Sequence, residues 1–189
     1  MNPVFTLPYT ELLVAEHLRT QFPSTQNYSV LIPLSREQKG FDLILSKRVN
    51  GESKAVTIQI KGSRTYLQKP GITKKGKQSL RFGTFFNHFK PSTDADLFVF
   101  VSLYSPEPTT TKHSASAWAS HFLLFTYDEM TEFLNQVRTK KGTPDKFGFG
   151  FNNDTDAFVT RGIAGQPDYS EHILAKRYGV ISDMLESTT

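Results

Sequence analysis

An acid, an amide and an amine interrupt two otherwise apolar runs in the first third of the chain. They are Asp42 in "GFDLIL" and Gln59 and Lys61 in "TIQIKGS". Between the runs lies Asn50-Gly51, the preferred pair for a two-residue type I′ hairpin turn. With those two residues as the loop, Val49 pairs with Glu52 and Asp42 falls opposite Gln59. Directly opposed residues hold their Cβ atoms about 4.5–5.5 Å apart. Lys61, two residues on, leaves the same face as Gln59. The other face of that strand, Val56, Ile58 and Ile60, is uniformly apolar and reads as core. A carboxylate, amide or amine on a half-buried sheet has to find partners or bear a desolvation cost.

Glu11 is a fourth candidate. In "TELLVAEHLRTQF" a helix is expected from Thr10, as N-cap, to Phe22, with Val14, Ala15, Leu18 and Phe22 on one stripe. Glu11 falls at the centre of that stripe, whereas Glu16 is turned about 140° away, toward solvent. An acid in the first turn also complements the helix macrodipole, which is the plainer role for Glu11. Two carboxylates, an amide oxygen and a backbone carbonyl form a hard oxygen set that suits Mg²⁺ or Mn²⁺ and not zinc. A lysine beside such a cation orients water or stabilises charge on a phosphate, which fits phosphodiester hydrolysis.

Charge points to a polyanion. Between Ser53 and Thr93 there is no Asp or Glu but nine of the 22 Lys and Arg, leaving thirteen against eighteen acidic residues elsewhere. Arg64, Lys69, Lys74, Lys75, Lys77 and Arg81 in this window are the expected nucleic-acid contacts; such phosphate contacts give affinity and salt dependence, not sequence choice. Tyr66, Phe82, Phe85, Phe86 and Phe89 adjoin them. Such rings stack on bases or fill a core, and core is the commoner fate of Phe.

These residues need a scaffold. After the first helix come a short strand at "YSVLIP", strands at Phe41–Leu45 and Ala55–Lys61, and a Gly/Lys-rich loop from Gly62 with a Pro70-Gly71 turn. "ADLFVFVSLY" is a continuous apolar run, expected as a strand buried on both faces. "HFLLFT" reads as a strand, "YDEMTEFLNQVRTKKG" as a helix closed at Gly142, and "SEHILAKRYGVISDML" as a last helix capped by Ser170. "FGFGFNNDTDAFVTRG" is a hairpin or an irregular lid. A mixed α/β domain spanning 1–189 is expected. The absence of Cys excludes disulfides, thiolate zinc sites and Cys nucleophiles. No apolar run approaches about 18 residues and the first residues lack a signal-peptide pattern, so a cytoplasmic protein with no membrane partner is expected.

"GFDLIL" followed by "TIQIKGS", with a Glu in "TELLVAEHL" on the first helix, resembles the PD-(D/E)XK nuclease superfamily, which includes restriction endonucleases and Holliday-junction resolvases. The resemblance covers about Thr10 to Ser105. Phe41 stands where the motif's Pro would be, and Gln59 replaces the commoner Glu, removing one ligand charge. The resemblance implies a restriction-endonuclease-like αβββαβ core with a mixed central sheet flanked by helices, at about 8–137, with 138–189 as an elaboration. It implies a Mg²⁺-dependent DNA endonuclease, with Mn²⁺ as substitute and a possible homodimer. Glu11, Asp42, Gln59 and the Ile60 carbonyl would hold the metal, and Lys61 would position the attacking water. The alternative is a nucleic-acid-binding module whose nuclease fold has lost turnover. A helix between the third and fourth core strands is not apparent; the basic loop and "RFGTFFNHF" fill that interval.

Overall fold

The computed structural model describes residues 9–33, 40–68, 79–104, 119–138 and 146–186. Lys69, Lys74, Lys75, Lys77 and the Pro70-Gly71 turn lie outside the described residues.

The hairpin forms in the expected register. β1 (Tyr28–Leu31), β2 (Leu43–Val49) and β3 (Glu52–Leu67) make an antiparallel meander, with Val49 opposite Glu52 and Leu43 opposite Ile58. Asn50 and Gly51 both take positive φ, 53° and 89°, as a type I′ turn requires. β5 (Leu97–Tyr104) runs parallel to β3 from Ile58 to Arg64, and β6 (Ala119–Thr126) runs antiparallel to β5. β5 is thus interior to the sheet and buried on both faces over nearly its whole length.

β3 does not stop at Lys61. It continues for 16 residues in all, and past Arg64 it leaves β5 and pairs with β4 (Phe82–Asn87) through Thr65–Leu67. The expected loop from Gly62 is strand because polar side chains tie it to β4. Ser63 Oγ donates to the Phe85 carbonyl at 2.7 Å, and the Thr65 and Thr84 hydroxyls bond at 2.9 Å. β4 carries β7 (Lys146–Phe151), which carries β8 (Phe158–Arg161), so "FGFGFNNDTDAFVTRG" is a hairpin. The eight strands are mostly antiparallel, and three α-helices accompany them among the described residues.

Two of those helices, α1 (Tyr9–Gln21) and α3 (Tyr178–Glu186), cover one face of the β1–β2–β3–β5–β6 portion. Val14, Leu18, Ile181 and Leu185 pack there with Ile58 and Val99. On the other face, β4 and β7 fold over β5 and β6 together with α2 (Tyr127–Gln136). That second core is aromatic: Phe86, Phe98, Phe100, Phe125, Phe133, Phe147 and Phe149 meet in edge-on and stacked pairs. "FGFGF" follows from this. Phe147, Phe149 and Phe151 are fully buried, while a Cβ on Gly148 or Gly150 would strike the Phe85 ring or the Leu80 and Thr160 side chains.

Several local expectations are corrected. Thr10 lies inside the first turn of α1 and not at its N-cap, with its side chain seated on Gly62. α2 ends at Gln136, where Val137 turns extended and buries its side chain; its N-cap is Thr126, which forms a capping box with Glu129. The last segment is broken. Ser170–His172 and Leu174–Lys176 are 3₁₀ turns, and the α-helix begins only at Tyr178. Ile173 adopts an extended conformation to bridge Leu123, and Ser170 Oγ accepts from Ala157 N–H instead of capping a long helix. No helix intervenes between β3 and β5 among the described residues; β4 occupies that crossover.

A Cβ on Gly62 would lie 2.5 Å from Thr10 Cγ2, so only glycine lets the N-terminus of α1 rest on β3. Gly62→Val is expected to cost about 1–3 kcal/mol of stability by overpacking, read as a lowered urea midpoint.

Candidate functional site

The site is built where β2 has not yet begun beside β3. Gly40 approaches with φ 117°, its Cα against Ser92 and Asp94, where a Cβ would lie 2.6 Å from Ser92 Oγ. This close approach delivers Asp42 to the edge of β3. Asp42 N–H donates to the Ile58 carbonyl at 2.8 Å, and the Asp42 carboxylate accepts the Ile60 N–H at 2.6 Å. The carboxylate thus lies at the sheet edge and takes the place of a ladder carbonyl. In an antiparallel ladder the N–H and C=O of one residue face the same edge. The Ile60 carbonyl therefore turns to the side that Asp42 occupies.

Gln59 and Lys61 sit on either side of Ile60 and are half-buried. Their side chains share the face of β3 opposite to Val56, Ile58 and Ile60, as alternation requires. Lys61 Nζ stands 5.0 Å from the centre of the Phe89 ring, a cation–π contact that holds the ammonium in place. The stripe Val14, Ala15, Leu18 and Phe22 is buried and Glu16 is exposed, paired with Arg19 at 3.1 Å. Glu11, half-buried, lies one turn before that stripe, next to Thr10 on Gly62. α1 therefore covers the Ile60 side of β3, not the side of Gln59 and Lys61. Asp42, Gln59 and Lys61 are brought together around Ile60, and Glu11 comes from the opposite face at the same level of β3.

Asp96 makes a parallel clasp one turn of the pleat away. Its Oδ2 accepts from both the N–H and the hydroxyl of Thr57, at 2.7 and 2.8 Å, while its own N–H donates to Thr57. Asp96 is a structural pin between β3 and β5. Among the described residues no group of three or more His, Asp or Glu gathers as a metal site. The set around Ile60 is of a different make, with one carboxylate, one amide and one backbone carbonyl.

From Lys61 a cleft of about 710 Å³ opens along the β3–β4 junction. Lys61, Ser63, Tyr66, Phe85, Lys146 and Arg161 are among its lining; Asp42 and Gln59 lie outside it. Three cations face this cleft, and among the described residues none of them forms an ion pair. The chain matches no family model, no curated protein and no solved structure. What the site can do therefore rests on its own chemistry: hard oxygen donors at a strand edge, one fixed ammonium, and a basic aromatic cleft beside it.

The expected basic residues divide. Arg64 is exposed on β3, and Arg81 is exposed just before β4, its guanidinium 5.1 Å from the Phe82 ring centre. Lys146 and Arg161 were missed. Both lie in the last third of the chain, where the aromatic–glycine alternation gave the only clue. Lys146 pairs with Asn87 and Gly148 with Arg161, so both cations share the glycine side of "KFGFGF". The aromatics divide as well: Phe82 and Phe86 are buried, Phe85 and Phe89 are half-buried, and Tyr66 is 55% exposed.

Proposed function

We propose that this chain is a divalent-metal-dependent endonuclease of the PD-(D/E)XK type that hydrolyses DNA phosphodiester bonds. The observation that carries this reading is the Asp42 carboxylate at the open edge of β3, bonded to Ile60 N–H and flanked along the strand by Gln59 and Lys61. The parallel pairing of β3 with β5 and the packing of α1 on β3 agree with the core the sequence resembles. The donors fit Mg²⁺ or Mn²⁺. Asp42 spends one carboxylate oxygen on Ile60 and keeps the other, and the Ile60 carbonyl faces the same edge. Gln59 offers its amide oxygen, whereas Glu11, carried by α1 on the opposite face of β3, stands outside this donor set. Bound there, the cation would supply Lewis acidity and a more acidic water. Lys61, fixed over Phe89, holds a water or a phosphate oxygen by its ammonium. The cations of the adjoining cleft hold the DNA backbone. Homodimerisation would suit cleavage of both strands.

Gln59 favours one second reading: a DNA-binding module without turnover, since an amide supplies no ligand charge. The deciding experiment incubates the protein with supercoiled plasmid in Mg²⁺, in Mn²⁺ and in EDTA, beside Lys61→Met. Metal-dependent nicking that drops at least about tenfold in the variant supports the endonuclease. Salt-sensitive binding with no nicking in either metal establishes the second reading instead.

A further inference from the structure

We infer that the outer face of the β3–β4–β7–β8 portion is a stacking platform for unpaired bases, so that the substrate is DNA carrying a single-stranded segment next to the cleavage site. This deepens the endonuclease reading and rests on it for the identity of the ligand. The register places Tyr66 opposite Gly83, Phe85 opposite Gly148, and Gly148 opposite Arg161, all on one face. Glycine at 148 lets the Phe85 ring lie close on that face, while the Gln68 side chain lies over Gly83 beside Tyr66. The Phe85 ring lies over Gly148, its Cδ1 2.6 Å from where a Cβ would stand. Tyr66 and Phe85 present rings whose centres are 6.3 Å apart, the Tyr more than half exposed. Ser63 Oγ pins the Phe85 carbonyl, so the platform is held in advance of binding.

Charge completes the match. Lys61, Lys146 and Arg161 border the same cleft and pair with no carboxylate among the described residues. Aromatic rings on a sheet with cations beside them are the means by which proteins hold single strands, one base to a ring. A blunt duplex keeps its bases stacked inside and has nothing to offer Tyr66. Lys61 and Tyr66 leave opposite faces of β3 but both line the cleft of about 710 Å³, so the cleft joins the platform to one member of the candidate site.

The test measures binding in EDTA, where cleavage plays no part. Fluorescence anisotropy compares a blunt duplex with the same duplex bearing a single-stranded thymidine tail, for wild type, Tyr66→Ala and Phe85→Leu. The tailed duplex is expected to bind wild type at least about tenfold more tightly, two rings each adding a stacked base. Tyr66→Ala, at an exposed position, is expected to lose at least about fivefold of that gain and to leave blunt-duplex affinity within about twofold. Lys146→Ala is expected to reduce the salt slope for the tail by about 0.7. Equal affinity of wild type for both duplexes overturns the proposal, as does a tail preference that survives in both ring variants. A tail preference in EDTA with no cleavage in Mg²⁺ or Mn²⁺ would leave the platform standing and remove the endonuclease; cleavage without tail preference would do the reverse.

Discussion

Asp42→Asn is expected to slow metal-dependent DNA cleavage by about a hundredfold to a thousandfold while lowering the urea midpoint far less than Asp42→Ala does. The asymmetry comes from the two tasks of this carboxylate. One oxygen accepts the Ile60 N–H at 2.6 Å, and an Asn carbonyl oxygen keeps that bond in a weaker, neutral form. The charge is a separate matter, because only a carboxylate offers a cation a charged oxygen. Asp42→Ala removes both and leaves a strand N–H without its acceptor, at a cost of about 1–3 kcal/mol. If Asp42 were only a clasp like Asp96, the Asn variant would cleave at the wild-type rate. Gln59→Glu provides the opposite displacement. It restores a charge beside Ile60 and is expected to lower the Mg²⁺ concentration for half-maximal cleavage by about tenfold, since ligand charge count sets affinity at such sites. Rates across a Mg²⁺ titration, with urea unfolding of each variant, decide both. An Asn variant at the wild-type rate, or a Glu variant with an unchanged Mg²⁺ requirement, removes Asp42 or Gln59 respectively from the metal set.

What could be read in advance followed from local rules. Asn50-Gly51 admits few turn geometries, and once the turn is set the pairing of Asp42 with the Gln59 end of β3 is arithmetic. The α1 stripe and the doubly buried β5 are likewise periodicity made solid. The failures were non-local. Whether Gly62 begins a loop depends on Ser63 and Thr65 finding Phe85 and Thr84 some twenty residues away. The break before α3 depends on Ile173 meeting Leu123. Lys146 and Arg161 join Lys61 only because β4, β7 and β8 fold back over β5, a closure driven by the phenylalanine core and invisible in any window of sequence. The side from which Glu11 approaches was equally hidden. A helical wheel gives its stripe, but only the packed sheet says which face of β3 that stripe covers.

The same closure buries a histidine, and its effect on stability is large. His121 on β6 is 2% exposed and stacks on Phe151 with ring centres 4.3 Å apart. Its Nε2–H donates to the Asp156 carbonyl at 3.0 Å, and Nδ1 is buried with no hydrogen-bond partner among the described residues. Burial therefore pulls the imidazole down from its ordinary 6.5 to about 4, against the opposing pull of Asp156 and Asp154. Below pH 6.5 the unfolded chain takes up a proton that the folded chain refuses until about pH 4. Stability is complete above the unfolded value and declines as the pH falls between the two. The loss from this one group is about 2 kcal/mol at pH 5, approaching about 3 kcal/mol below pH 4. His121→Phe keeps a ring against Phe151 and removes the titration, so its urea midpoint is expected to change much less between pH 7 and pH 5 than that of wild type. The comparison cancels the carboxylates common to both proteins, so equal losses in the two would show that His121 is protonated in the folded state and that the packing around Phe151 is looser than described.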